Sequence, residues 1–156
     1  MNKYLISLTV VIIFLFGAYY LLFTNPEAKP IASTITTSTL ETIRVGVMIP
    51  LSGEHGHLGE AALAGAQMAA KEINANGGIN GRQLEIVFED DQCAKEGGVA
   101  SMTKLVVVDQ VAVVLGSICS TASEAAATVS QVAGVTNIIA GAASSNLTRA
   151  GEYIFL

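Results

Sequence analysis

From Ile43 onward the sequence predicts an α/β fold: an open, mostly parallel, three-layer sheet with helices on both faces. Three observations predict it. Short β-branched runs alternate with stretches of helical periodicity. One run, Val111-Ala112-Val113-Val114-Leu115-Gly116, has no polar alternation and reads as a strand buried on both sides. The helical stretches also carry start and stop signals where the pattern needs them.

Ile43-Arg44-Val45-Gly46-Val47-Met48-Ile49, ended by Pro50, is the first predicted strand. Leu58 to Asn76 then sets Leu58, Ala62, Ala66, Ala69 and Ile73 on one helical face, and Asn76-Gly77-Gly78 supplies the stop. Leu84 to Glu89 is a second strand, and Val99, Met102 and Val106 mark a second helix. After the third strand a helix is expected from about Ala122 to Ala133, with Thr121 and Glu124 in capping-box spacing. Asn137 to Ala140 and Tyr153 to Leu156 give the fourth strand and the start of a fifth. Ligands of such sheets sit beyond the carboxyl ends of the strands. The informative loops are therefore Pro50–His57, Asp90–Lys95, Ser117–Thr121 and Gly141–Thr148.

The residues before the domain have another composition. Tyr4 to Phe23 are 20 consecutive positions without a charge, holding six of the nine aromatics. As a helix such a run rises about 30 Å, the thickness of a bilayer core. Residues 1–23 are thus expected to be an uncleaved N-terminal membrane anchor, with a long signal peptide as the alternative; the run has no following A-x-A site and no cysteine near its end. Residues 24–42, rich in Thr, Ser, Pro and Ala, read as a flexible tether. That leaves 43–156, at most one ordinary domain, with 6 Lys and Arg against 11 Asp and Glu. Such a balance disfavours a nucleic-acid partner.

The loops lack the motifs of several chemistries. Gly53, Gly56 and Gly59 are spaced three apart and do not make the close pair that a dinucleotide site needs; there is no P-loop. Gly116-Ser117-Ile118-Cys119-Ser120 lacks the central serine and final glycine of a nucleophile elbow, so no catalytic residue is assigned and no cofactor is expected. His55 and His57 with Asp90 or Asp91 could approach a metal, but solvated loop histidines are the preferred reading and no metal is assigned. Asp90 and Asp91 are expected to bond loop amides and the next helix start.

Cys93 and Cys119 are the only cysteines, one in each loop after the second and third strands. In an exported chain they favour a disulfide over two separate thiols. With the first strand between them, their strands stand about 9.5 Å apart, so both loops must lean inward. Ser120 is either an N-cap or a hydroxyl presented, with helix-end amides, to an anion such as a carboxylate. Ala140 to Ser145 is a loop of small residues through which a ligand can reach the backbone, and Asn146-Leu147-Thr148 reads as an ordinary turn.

Four stretches resemble a known family: Val45-Gly46-Val47-Met48-Ile49-Pro50-Leu51-Ser52-Gly53; Gly65-Ala66 through Glu72-Ile73-Asn74-Ala75-Asn76-Gly77-Gly78-Ile79-Asn80-Gly81; Glu89-Asp90-Asp91-Gln92-Cys93; and Gly116-Ser117-Ile118-Cys119-Ser120. They resemble the N-terminal, Rossmann-like lobe of the branched-chain amino-acid (Leu/Ile/Val-type) binding proteins of ABC transporters, the type I periplasmic-binding fold. The resemblance implies that Ser120 and Ser144 bind a ligand carboxylate through their hydroxyls. It implies backbone contacts from Ile118 and Ala142, with Ala143 beside them, and a side-chain contact from Leu58. It also places the two cysteines where relatives often carry a disulfide. Leu58 stands where the family often has an aromatic, and His55 and His57 replace apolar or small residues. These departures bear on ligand specificity.

The expectation is an extracytoplasmic solute-binding protein, at the periplasm or cell surface, that delivers an amino acid or similar small polar molecule to ABC permease subunits. A sensor ectodomain of a signalling receptor with the same fold is the alternative; an enzyme is not expected. Because the family is bilobed, 43–156 is expected to be a truncated first lobe holding half a binding site.

Overall fold

The computed structural model describes residues 42–156 and, before them, Tyr19 alone. The expected anchor and tether therefore lie outside the described residues except at Tyr19 and Thr42. Among the described residues no helix is long and apolar enough to cross a membrane.

The chain alternates strand and helix as the periodicity predicts. Its elements are β1 (Ile43–Ile49), α1 (Gly56–Ala75), β2 (Leu84–Asp90), α2 (Lys95–Thr103), β3 (Val113–Gly116), α3 (Ser120–Ala133), β4 (Thr136–Ile138) and β5 (Ile154–Phe155). A wider-wound turn, Lys104–Val108, prolongs α2, and a 3-10 turn, Leu147–Arg149, precedes β5. All neighbouring strands run parallel, in the order β2-β1-β3-β4-β5. The order reverses direction at β1, which opens a crevice above the carboxyl ends of β1, β2 and β3.

Alternation along β1 divides the core. Val47 and Ile49 face Ala62 and Ala66 of α1. Met48 and Val114 point the other way and pack with Met102, Leu105, Val111 and Ala126 beneath α2 and α3. A second cluster, Ala127, Ile139, Ala142, Leu147 and Ile154, closes the β4–β5 side.

Several expectations shift. The apolar stripe of α1 runs through Gly59, Ala62, Ala66, Ala70 and Ile73, whereas Ala69 and Leu58 are exposed. Gly59 explains the register: a β-carbon there would fall on the Pro50 carbonyl, so α1 starts in backbone contact with the end of β1. In β3 only alternate residues, Val114 and Gly116, are fully buried. On the α1 side, Leu115 is half-buried, Ile138 is 41% exposed and Phe155 51% exposed, because α1 packs on β1 and β2. Val111 leaves the strand because its amide donates to the Leu105 carbonyl at 3.1 Å.

The motif Glu72 to Gly81 has a structural explanation. The Asn74 side chain donates to the Leu84 carbonyl at 2.8 Å and accepts from the Leu84 amide at 2.7 Å, tying the end of α1 to the start of β2. Gly78 N–H donates to Ile73 at 2.9 Å to close the helix. Ile79 and Arg82 then pair across the following turn.

Candidate functional site

Three loops converge above β1, β2 and β3. Asp90, at the end of β2, organises the first of them. Its Oδ1 accepts from the Leu51 amide at 2.8 Å and the Gln92 amide at 2.9 Å, and its Oδ2 accepts from the Ser52 hydroxyl at 2.6 Å. Burial opposes its ionisation, but hydrogen bonds from Ser52, Leu51 and Gln92 outweigh that and hold its carboxyl below the usual 3.8. This is the local amide bonding that the loop sequence suggested.

Asp91 is fully buried. Its Oδ1 accepts from the Cys93 amide at 2.7 Å, whereas its Oδ2 has no hydrogen-bond partner among the described residues. Burial, reinforced by the neighbouring Asp90 charge, pushes its carboxyl above the usual 3.8 despite the bond from Cys93. Among the described residues no three His, Cys, Asp or Glu groups converge as metal ligands.

Cys93 and Cys119 form a disulfide, with Cα atoms 5.3 Å apart. The inward lean that the strand spacing demands comes from the backbone. Gln92 and Cys93 adopt left-handed φ values of 54° and 56°, and Gly116 turns at φ 138°. Only Gly116 does so without steric cost.

The disulfide floors an open cavity of about 520 Å³, lined by His55, Leu58, Cys93, Ile118, Cys119, Ser120, Thr121 and Gly141. Of the residues named from the sequence, Leu58, Ile118 and Ser120 meet here. Ser120 is the first residue of α3 and not its N-cap; Cys119 holds that place, and no side chain caps the helix. The Ser120 Oγ accepts from the Ala143 amide at 3.2 Å. Its own proton donates to no atom among the described residues, and it sits beside the unpaired first amides of α3. This arrangement presents a hydroxyl and a helix N-terminus to an anion.

The remaining named residues lie off the lining. Ala142 is buried in the second core cluster, and Ala143 touches the site through its amide. The Ser144 hydroxyl donates to Glu124 Oε1 and accepts from the Asn146 amide at 3.2 Å. The expected Thr121–Glu124 capping box is absent for the same reason: Glu124 turns to Ser144 and to Asn146 Nδ2, the latter at 3.2 Å. Thr121 and Gly141, end residues of two loops singled out from the sequence, also line the cavity, although no ligand role is assigned to them there. Thr121 follows Ser120 at the helix start, and that adjacency was the available signal.

Residues 42–156 match the family model described as periplasmic binding protein. The chain belongs to that family. It is 35% identical over 116 residues to the Leu/Ile/Val-binding protein of Escherichia coli K12, covering 74% of this chain and 31% of that one. Among solved structures it is similar to a branched-chain amino acid transporter substrate binding protein of Streptococcus pneumoniae in complex with isoleucine. That match has 37% identity and a TM-score of 0.69, covering 72% of this chain and 32% of that one. A second is a solute binding protein of an ABC transporter from Rhodopseudomonas palustris in complex with 3,4-dihydroxy benzoic acid. It has 25% identity and a TM-score of 0.65, covering 72% of this chain and 31% of that one. The chain thus spans about a third of the length of these relatives. The relatives are substrate-binding proteins of transporters, not enzymes, as the resemblance implied.

Proposed function

We propose that residues 43–156 form one wall of an extracytoplasmic solute-binding protein serving an ABC permease. Residues 1–23 would be its membrane anchor or signal segment and residues 24–42 its tether. The ligand is a small carboxylate, in the first instance an amino acid of the branched-chain type. One observation carries the reading: the Ser120 hydroxyl has its lone pair engaged by the Ala143 amide at 3.2 Å, beside the open start of α3. That leaves a proton and backbone amides to meet a carboxylate. The isoleucine and the dihydroxybenzoate bound by the two solved relatives share this group and differ elsewhere. Leu58, Ile118, Ala142 and Ala143 would flank the ligand, and Ser144 would exchange Glu124 for it.

The test is calorimetric titration of the full-length gene product with leucine, isoleucine and 3,4-dihydroxybenzoate. At least one should bind, and Ser120→Ala should weaken it about tenfold or more, the size of a hydrogen bond to a charged group. Heat from none of the three, or unchanged affinity in the variant, would sink the reading.

A further inference from the structure

The walls of the cavity carry different chemistry. The α3 wall has Ser120, Thr121 and the open helix start, while Leu58 and Ile118 supply apolar surface. The α1 wall adds the His55 imidazole, the one titratable side chain among the lining residues, since Cys93 and Cys119 are joined. No Asp or Glu is among them.

The fold fixes where that imidazole starts from. Asp90 holds the incoming loop through the Leu51 amide at 2.8 Å and the Ser52 hydroxyl at 2.6 Å. The Gly56 amide closes the loop on the Gly53 carbonyl at 3.2 Å. Gly56 and Gly59 then set the start of α1 against the end of β1. A β-carbon at Gly59 would overlap the Pro50 carbonyl, and one at Gly56 would stand 3.3 Å from the Leu51 carbonyl oxygen. His55 is the N-cap residue of α1, so its backbone is pinned among these contacts. Its side chain takes part in none of them: it does not cap the helix, and it bonds no other described residue. His57, two residues on, is exposed and lies outside the lining.

A small-molecule pocket takes its specificity from a few placed polar groups in a largely apolar wall. In either protonation state an imidazole has an N–H to give. Ser120 accounts for one carboxylate, Leu58 and Ile118 suit a carbon skeleton, and the His55 N–H calls for a second acceptor. A ligand without that acceptor would leave the N–H unpaired.

We infer that His55 is a specificity-determining residue: its N–H bonds an oxygen of the ligand away from the carboxylate. The site then prefers a small carboxylic acid with a second oxygen group to the counterpart that lacks it. This rests on the function proposed above, in which Ser120 takes the carboxylate, and narrows its ligand class.

The experiment titrates the full-length gene product calorimetrically with two matched pairs, aspartate against leucine and 3,4-dihydroxybenzoate against benzoate. In the parent, the oxygen-rich member of at least one pair should bind about tenfold or more tighter, the size of a hydrogen bond to a charged group. His55→Leu should abolish that preference while leaving the affinity for leucine or benzoate within about twofold. Its melting temperature should be that of the parent, because the residue is exposed. His57→Leu is the control and should keep the parent's preference. Ser120→Ala should weaken both members of the pair alike. No preference in the parent, an unmoved preference in His55→Leu, or an equal loss for both members overturns the inference. So does a His57→Leu change as large as that of His55→Leu, which would mean a general effect of the loop. Heat from none of the four ligands overturns this inference and the binding reading together. Binding that Ser120→Ala weakens, with a preference that His55→Leu leaves alone, overturns this inference only.

Discussion

At the amino-terminal end of the sheet, Asn74 makes two neutral hydrogen bonds to Leu84, and Arg44 reaches Glu85 at 3.2 Å and the Asp109 carbonyl at 2.9 Å. At the carboxyl-terminal end, a buried carboxylate, the turn that the buried Ser117 hydroxyl makes with the Cys119 amide and a covalent bond do the corresponding work. The first end satisfies its polar groups in pairs, and each pair could be lost without exposing the next. The second concentrates its stability in a few linked groups. The difference has a physical origin. Loops beyond the carboxyl ends of the strands have no ladder partner, so keeping them ordered around an open cavity needs side chains or a cross-link.

The sharpest way to break this contrast is to cut the cross-link. Replacing both Cys93 and Cys119 by alanine releases a loop whose ends are 26 residues apart, and chain entropy puts the loss near 3.5 kcal/mol. Urea unfolding of the variant should show it. A loss below about 1 kcal/mol would mean that the hydrogen bonds alone order the loops.

Asn74→Ala comes next. It removes two bonds and leaves the Leu84 amide and carbonyl without their partner, at a cost of about 2 kcal/mol. If the two ends are independent, this variant should melt earlier while its disulfide equilibrium with glutathione stays that of the parent. A shifted equilibrium would join the two ends into one cooperative unit.

The same contrast governs how much could be read before the structure. The strands and helices followed from β-branched runs and helical periodicity, and β1 runs from Ile43 to Ile49 as those predict. The Glu72–Gly81 run points to the family most specifically, yet it does scaffold work at the end remote from the cavity. Only its helix stop was read from the sequence; the Asn74 bridge appears in the structure, and neither is a ligand contact. The Ser120 hydroxyl was legible because a helix start after a strand presents whatever stands there. Its exact cap position was not: the helix begins at Ser120 itself, with Cys119 as N-cap, one residue earlier than a serine cap would place it. Ser144 was named from the resemblance, but its bond to Glu124 depends on two residues 20 apart meeting in space. The role of Asp91 was hidden for a similar reason. Spacing places it beside Asp90, and only burial separates a carboxylate that bonds an exposed loop from one sealed beneath the Cys93 turn.

That last pair gives the finest test of the contrast, because two adjacent acids should respond to pH with opposite signs. In the folded chain the hydrogen bonds of Asp90 hold its carboxyl below 3.8. Its contribution to stability is therefore present above the unfolded value and is lost as the pH falls through the lower folded one. Burial raises the Asp91 carboxyl above 3.8. The fold therefore carries no penalty from Asp91 at low pH and loses stability as the pH rises from the unfolded value through the raised folded one. Asp90→Asn should lower the melting temperature at neutral pH and converge toward the parent in acid. Asp91→Asn should gain on the parent as the pH climbs. Melting curves of the three proteins between about pH 3 and pH 7 separate these trends. Parallel curves for Asp91→Asn and the parent would show that the buried carboxylate is ionised in the fold as easily as in the unfolded chain. The carboxyl end of the sheet would then hold no more electrostatic cost than the amino end. The Asp90 effect should be the smaller of the two, since that carboxylate is only partly buried and solvent screens what its hydrogen bonds contribute.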